Sequence, residues 1–259
     1  MSPELQKKIT KAEKLRTKAA FPLSLITEPD YVEAGDLYCE IARECSDLED
    51  KIKFYNEAAI TFLRKKAEYN EYRASECYKK LFELLVNQDV TAAVENYIKY
   101  CECLERIEKY MLAGQGYTKI GDILEEIDGK RAIEMYRKAQ DAYSKDYSCP
   151  MHYKEAVQKC LTIQIKGQDI EGAIESLKML DIEFSKLCIQ ILTLLLGKTN
   201  FEEDLKKDES ELIMTLLNKD RDTSIESLRQ FKEKNFINPI ISKIFDFAID
   251  RLQPENDIC

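Results

Sequence analysis

The sequence has no tryptophan, one histidine (His152), six prolines and eight glycines in 259 residues. So few breakers leave long stretches of Ala, Leu, Glu and Lys, the palette of helix and not of sheet. A lone histidine excludes a site built on paired imidazoles; HExxH is missing, as are a Gly-rich phosphate loop ending in Lys-Ser/Thr and a Gly-x-Ser-x-Gly turn. No apolar run reaches the roughly 20 residues of a membrane-spanning helix. The longest, Leu187 to Leu196, is interrupted by Gln190 and Thr193 and reads as a buried helix. Glu4, Lys7 and Lys8 stand where a secretory leader would be apolar, so a cytoplasmic location is expected.

Positive charge is in deficit too. A formal net charge of -9 argues against a general nucleic-acid binder and leaves room only for a local basic face. The nine cysteines, among them Cys39, Cys77, Cys160 and Cys188, show no paired spacing and read as small buried residues of a reducing compartment. Cys101 and Cys103, two apart on a helix, diverge by roughly 200° at 3.6 residues per turn and make no metal pair. The acid pairs Glu125-Glu126 and Glu202-Glu203 read as solvated helix faces. No cofactor, metal or catalytic centre is expected, and binding is favoured over catalysis.

What the sequence does have is a period. Ala34, Ala58, Ala74, Ala93, Ala113, Ala132, Ala156 and Ala173 recur at about 20-residue steps, which suits one helix plus a short turn. Five of them are followed four residues later by tyrosine, at Tyr38, Tyr78, Tyr97, Tyr117 and Tyr136, so each pair shares a helix face and reads as packing between antiparallel helices. Turns are expected at Asn87-Gln88-Asp89, Ile127-Asp128-Gly129, Lys166-Gly167-Gln168-Asp169 and Asn218-Lys219-Asp220, with a helix break at Ser148-Cys149-Pro150. The expected fold is all-α: a tetratricopeptide-like solenoid of antiparallel helix hairpins over residues 1–196, then a C-terminal helical bundle cap and acidic tail over 197–259. The cap would hold the apolar-faced segments Glu211 to Leu217, Ser224 to Lys234 and Pro239 to Leu252.

The order of these features resembles the soluble NSF attachment proteins (SNAPs). The likeness starts with a charged first helix around Lys11-Ala12-Glu13-Lys14, an apolar loop at Phe21, and Pro29-Asp30-Tyr31-Val32-Glu33-Ala34-Gly35-Asp36-Leu37-Tyr38. It continues through Asp128-Gly129-Lys130-Arg131-Ala132-Ile133-Glu134-Met135-Tyr136, and the end, Leu252-Gln253-Pro254-Glu255-Asn256-Asp257-Ile258-Cys259, is similar to the α-type. The resemblance implies an adaptor for vesicle fusion and transport. It would bind SNARE complexes (syntaxin-type proteins), recruit and stimulate the NSF-type AAA ATPase, and sit in the cytoplasm, peripheral on membranes of the secretory and endosomal system.

Three groups of residues carry that expectation. Glu255, Asp257 and Ile258 would meet a basic patch and a small apolar pocket on the ATPase. Phe21, Leu23, Leu25 and Ile26 would touch membrane beside a helix with six cations (Lys7, Lys8, Lys11, Lys14, Arg16, Lys18) against Glu4 and Glu13. Lys154, Lys159 and Lys166 would face the acidic SNARE bundle; the alternative is ordinary solvated lysine. The chain departs from the family at Gln115, where a basic residue is usual, and is shorter between Met179 and Glu211. A rival reading is a SNAP-like scaffold for another partner, such as a huntingtin-associated protein relative; a tetratricopeptide clamp for chaperone tails is a third.

Overall fold

The computed structural model describes residues 3–17, 28–199 and 205–253. Among them the backbone forms thirteen α-helices and no strand. In chain order they are α1 (Pro3–Arg16), α2 (Tyr31–Glu44), α3 (Leu48–Phe62), α4 (Glu68–Leu85), α5 (Val90–Arg106), α6 (Tyr110–Leu124) and α7 (Gly129–Ser144). Then follow α8 (Pro150–Lys166), α9 (Ile170–Lys178), α10 (Ser185–Leu195), α11 (Lys207–Asn218), α12 (Arg221–Lys234) and α13 (Pro239–Leu252).

Aspartate starts many of these helices. Asp30, Asp47, Asp89, Asp128, Asp169 and Asp220 each accept the backbone N–H three residues on, at 2.9–3.1 Å, satisfying a donor that a helix start leaves without a partner. The four turns expected from sequence hold Asp89, Asp128, Asp169 and Asp220, and the expected break is the gap between α7 and α8. Pro150 is the first residue of α8, where its missing N–H costs no helical hydrogen bond.

The described residues form two compact units, those of Met1–Ile123 with Asp141–Cys149 and those of Leu124–Gln140 with Pro150–Cys259. In the first, each helix from α1 to α4 packs on its successor. Short connections make such neighbours antiparallel, and small residues let them close up. Ala34, Ala58, Ala74, Ala93 and Ala113 are fully buried. Gly35 goes further, because a Cβ there would lie 2.6 Å from the buried Phe62 ring, and one at Gly114 would lie 2.5 Å from the Tyr143 ring. The paired tyrosines Tyr38, Tyr78, Tyr97 and Tyr117 fill the space the alanines leave.

In the second unit Ala132, Tyr136 and Ala173 are likewise buried, and the core then becomes aliphatic. Leu161, Leu177, Leu187, Ile191, Leu192, Leu228, Ile241, Ile244 and Phe245 make one cluster, with Phe231 set between Phe184 (edge-on, 5.6 Å) and Phe245 (stacked, 5.8 Å). Of the run Leu187 to Leu196, residues 187–192 are buried in it and residues 193–196 are half-buried, chiefly as α10. The three expected terminal helices are present as α11, α12 and α13. The last of them returns along the chain to pack against both α10 and α8, and α9, at nine residues, is the shortest helix described.

Candidate acidic-partner surface

The tyrosines that follow the periodic alanines are buried, yet several have one ring face covered by a cation from a neighbouring helix. In the first unit Lys99 of α5 lies 5.6 Å from the Tyr78 centroid of α4. Lys119 of α6 lies 5.0 Å from Tyr97 of α5 and 4.6 Å from Phe82 of α4. In the second unit Lys159 of α8 lies 5.5 Å from Tyr136 of α7. Burial pushes the Tyr78 phenol up to about 12, so at neutral pH its lysine meets the π face of a neutral ring.

A lysine held this way lays its methylene stem on the ring and leaves the ammonium at the surface. Lys99 and Lys119 are exposed and Lys159 is half-buried. The same spacing is visible in sequence: Lys79, Lys99, Lys119, Lys138 and Lys159 recur at about the 20-residue helix interval. Each unit therefore presents ammonium groups whose positions are set by packed rings. Such groups suit carboxylates of a partner, with little demand on its sequence.

On α8 the three sequence candidates separate. Lys159 and Lys166 are seven residues apart and share a face to within about 20°, whereas Lys154 is half-buried roughly 120–140° around the helix from them. Lys166 already has partners, since its Nζ is 3.4 Å from Glu125 and 3.8 Å from Glu126. Of the acid pair expected on a solvated helix face, Glu126 is exposed and Glu125 half-buried, and both meet this lysine from the turn after α6. Glu202 and Glu203 lie outside the described residues.

Where α13 packs on α8, the Lys159 face continues into an open groove of about 440 Å³ lined by Glu155, Lys159, Thr162, Asn238, Ile240 and Lys243. A second groove shares Thr162 and Lys243 and adds Lys166, Phe247, Asp250 and Arg251. Arg251 is held in place by donating from Nη2 to Gln168 Oε1 at 2.6 Å and lies 5.6 Å from the Phe247 ring. Lys159, Lys166, Lys243 and Arg251 so line the adjoining grooves along the seam of α8 and α13, interleaved with Glu125, Glu155 and Asp250.

Lys243, Arg251, Lys99 and Lys119 were not among the sequence candidates. The lysine period was available as a signal, but Lys243 and Arg251 reach the seam only because α13 folds back onto α8. Gln115, the position that lacks the family's basic residue, is exposed on α6, and Lys119 stands one turn later on the same face. The remaining candidates, Phe21, Leu23, Leu25, Ile26, Glu255, Asp257 and Ile258, lie outside the described residues.

Other groups are dispersed. His152 is exposed, with Nδ1 3.9 Å from Glu155. Cys101 sits against the backbone of Gly116, while Cys103 accepts from Arg106 Nη2 at 3.1 Å, so the two thiols diverge as their spacing requires. Among the described residues no cluster of three or more His, Cys, Asp or Glu side chains is placed to hold a metal ion, and no helix is long and apolar enough to cross a membrane. The family model described as soluble NSF attachment protein, SNAP, matches residues 4–183, well over half of the chain. No curated protein matches it.

Proposed function

The chain belongs to the soluble NSF attachment protein family, and from that premise we propose that it is an adaptor that grips SNARE bundles and presents them to an NSF-type ATPase. It performs no bond chemistry of its own and needs no cofactor. The observation that carries the reading, beyond membership, is the set of lysines seated on buried aromatic rings at helix-length intervals. Fixed ammonium groups that read charge and spacing suit an acidic rod of coiled helices, whose carboxylates also recur along its length.

In this reading Lys119 and Lys159, with Lys166, Lys243 and Arg251 beside the latter, contact the bundle. Lys119 supplies the charge that Gln115 does not. Lys154 is a weaker contributor, because it lies on another face of α8. The hairpin array of residues 1–196 lies along the bundle, and residues 197–259 form the end that meets the ATPase, with Glu255, Asp257 and Ile258 as the docking tail. Phe21, Leu23, Leu25 and Ile26 hold the adaptor at a membrane surface, which raises its local concentration where SNARE bundles form. Its place is the cytoplasmic side of secretory and endosomal membranes, in vesicle transport.

The test is equilibrium binding to an assembled SNARE bundle for the full chain and for the double variant Lys119→Glu, Lys159→Glu, at low and high salt. The double reversal should weaken binding at least about tenfold, equivalent to about 1.4 kcal/mol. Wild-type affinity should fall steeply with salt. Salt-insensitive binding, or unchanged binding by a folded double variant, would contradict the proposed surface. A well-folded chain that ignores SNARE bundles altogether would instead favour a scaffold with a different partner.

A further inference from the structure

The eight cysteines among the described residues are buried thiols. Two of them face each other: Cys39 of α2 and Cys77 of α4 place their Sγ atoms 3.4 Å apart in the first unit. Both also line an open pocket of about 330 Å³, beside Arg43, Tyr55, Tyr72 and Arg73. Cys39 and Cys77 are 4% and 3% exposed, and this opening is the route by which a small peroxide would reach the sulfurs. Lys80 and Glu76 complete the lining, so three cations and one acid surround the pair, and Arg73 is anchored there by its ion pair with Asp36.

We propose that Cys39 and Cys77 are a dithiol site for oxidation by hydroperoxides, closing to a disulfide that ties α2 to α4. Cys39 is the attacking sulfur. A hydrogen bond from the Cys77 thiol and the charges of Arg73 and Arg43 hold it below the ordinary thiol value, against the effect of burial. The opposite holds at Cys160 and Cys103, which burial pushes up to about 11 and about 12. Thiolate character and access together decide which cysteine reacts.

The chemistry is a two-electron oxidation. The Cys39 thiolate attacks one peroxide oxygen, the S–O bond forms as the O–O bond breaks, and the departing hydroxide takes the proton released by the thiol to become water. Cys77 sulfur then attacks the Cys39 sulfenic acid. The S–S bond forms, the S–O bond breaks, and hydroxide leaves with the Cys77 proton as the second water. Two thiols and one hydrogen peroxide become one disulfide and two waters. The sulfurs must approach from 3.4 Å to ~2.05 Å, a movement within reach of side-chain rotation.

The experiment treats the full chain with stoichiometric hydrogen peroxide, alkylates the remaining thiols and maps the digest without reduction by mass spectrometry. It uses no SNARE or ATPase, so it stands or falls apart from the adaptor reading. A Cys39–Cys77 linked peptide that vanishes on reduction is expected, with the Cys39 thiol consumed about tenfold faster than Cys160. In Cys77→Ser, dimedone should trap a sulfenic acid on Cys39. Disulfides joining other cysteines, trapping at other positions, or Cys39 and Cys77 staying as alkylatable as Cys160 would overturn the proposal. Should Cys77→Ser fail to fold, the wild-type map and rate ratio decide alone.

Discussion

Gly35 shows how a single atom sets the spacing of two helices. Alanine in a helix interior is favoured over glycine by about 1 kcal/mol, but here its Cβ would stand 2.6 Å from the ring of Phe62, which is fully buried and has nowhere to retreat. Overpacking of that kind costs about 1–3 kcal/mol. Gly35→Ala should therefore lower the denaturant midpoint of unfolding despite its better helix propensity; a raised midpoint would mean that the ring moves aside. Asp220 makes a pH prediction. Hydrogen bonds from the backbone and hydroxyl of Thr223 hold its carboxyl below the ordinary 3.8. A depressed carboxyl stabilises fully above its unfolded value, and the benefit is lost as pH falls through the folded one. The Thr223 amide should report a titration midpoint below 3.8 in an NMR series, and a midpoint at or above that value would contradict the cap. The alanine and tyrosine positions were legible in the sequence because burial follows residue type and period. The ring-seated lysines were not, since spacing names the lysine but not the ring on the next helix.

Between elements, the aspartates do more than end a turn. Asp89 accepts from the Ala92 amide at 2.9 Å and opens α5, which packs against α4. Replacing Asp89 with Ala removes that bond and should cost about 1 kcal/mol, read by thermal unfolding, with Asp89→Asn recovering most of it because an amide oxygen caps as well. Equal loss in both variants would point to some other role for the carboxylate. The turns were readable in sequence because Gly, Asn and Asp carry their own backbone preferences. So were α11, α12 and α13, from their apolar faces. The seam between α8 and α13 was not, because it joins residues some 80 positions apart, such as Arg251 with Gln168. Local periodicity holds nothing about such a pairing, and the meeting of Lys159, Lys166, Lys243 and Arg251 along the seam depends on it.

At the scale of the whole molecule, all-α architecture follows from composition alone, and membership of the SNAP family follows from the order of features that the match over residues 4–183 covers. The partner surface is a smaller signal within an acidic chain. A net charge of -9 conceals cations spaced by the helix interval, and in the proposed reading those lysines offset the long-range repulsion from an acidic bundle. The adaptor account rests on their acting together with the tail in one ATP-driven cycle. The most direct test is disassembly of a SNARE bundle by an NSF-type ATPase and ATP, with this chain as the only adaptor, beside a truncation ending at Pro254. The account predicts disassembly with the full chain and its loss, with bundle binding retained, in the truncated one. A folded full chain that binds the bundle but supports no disassembly would contradict it.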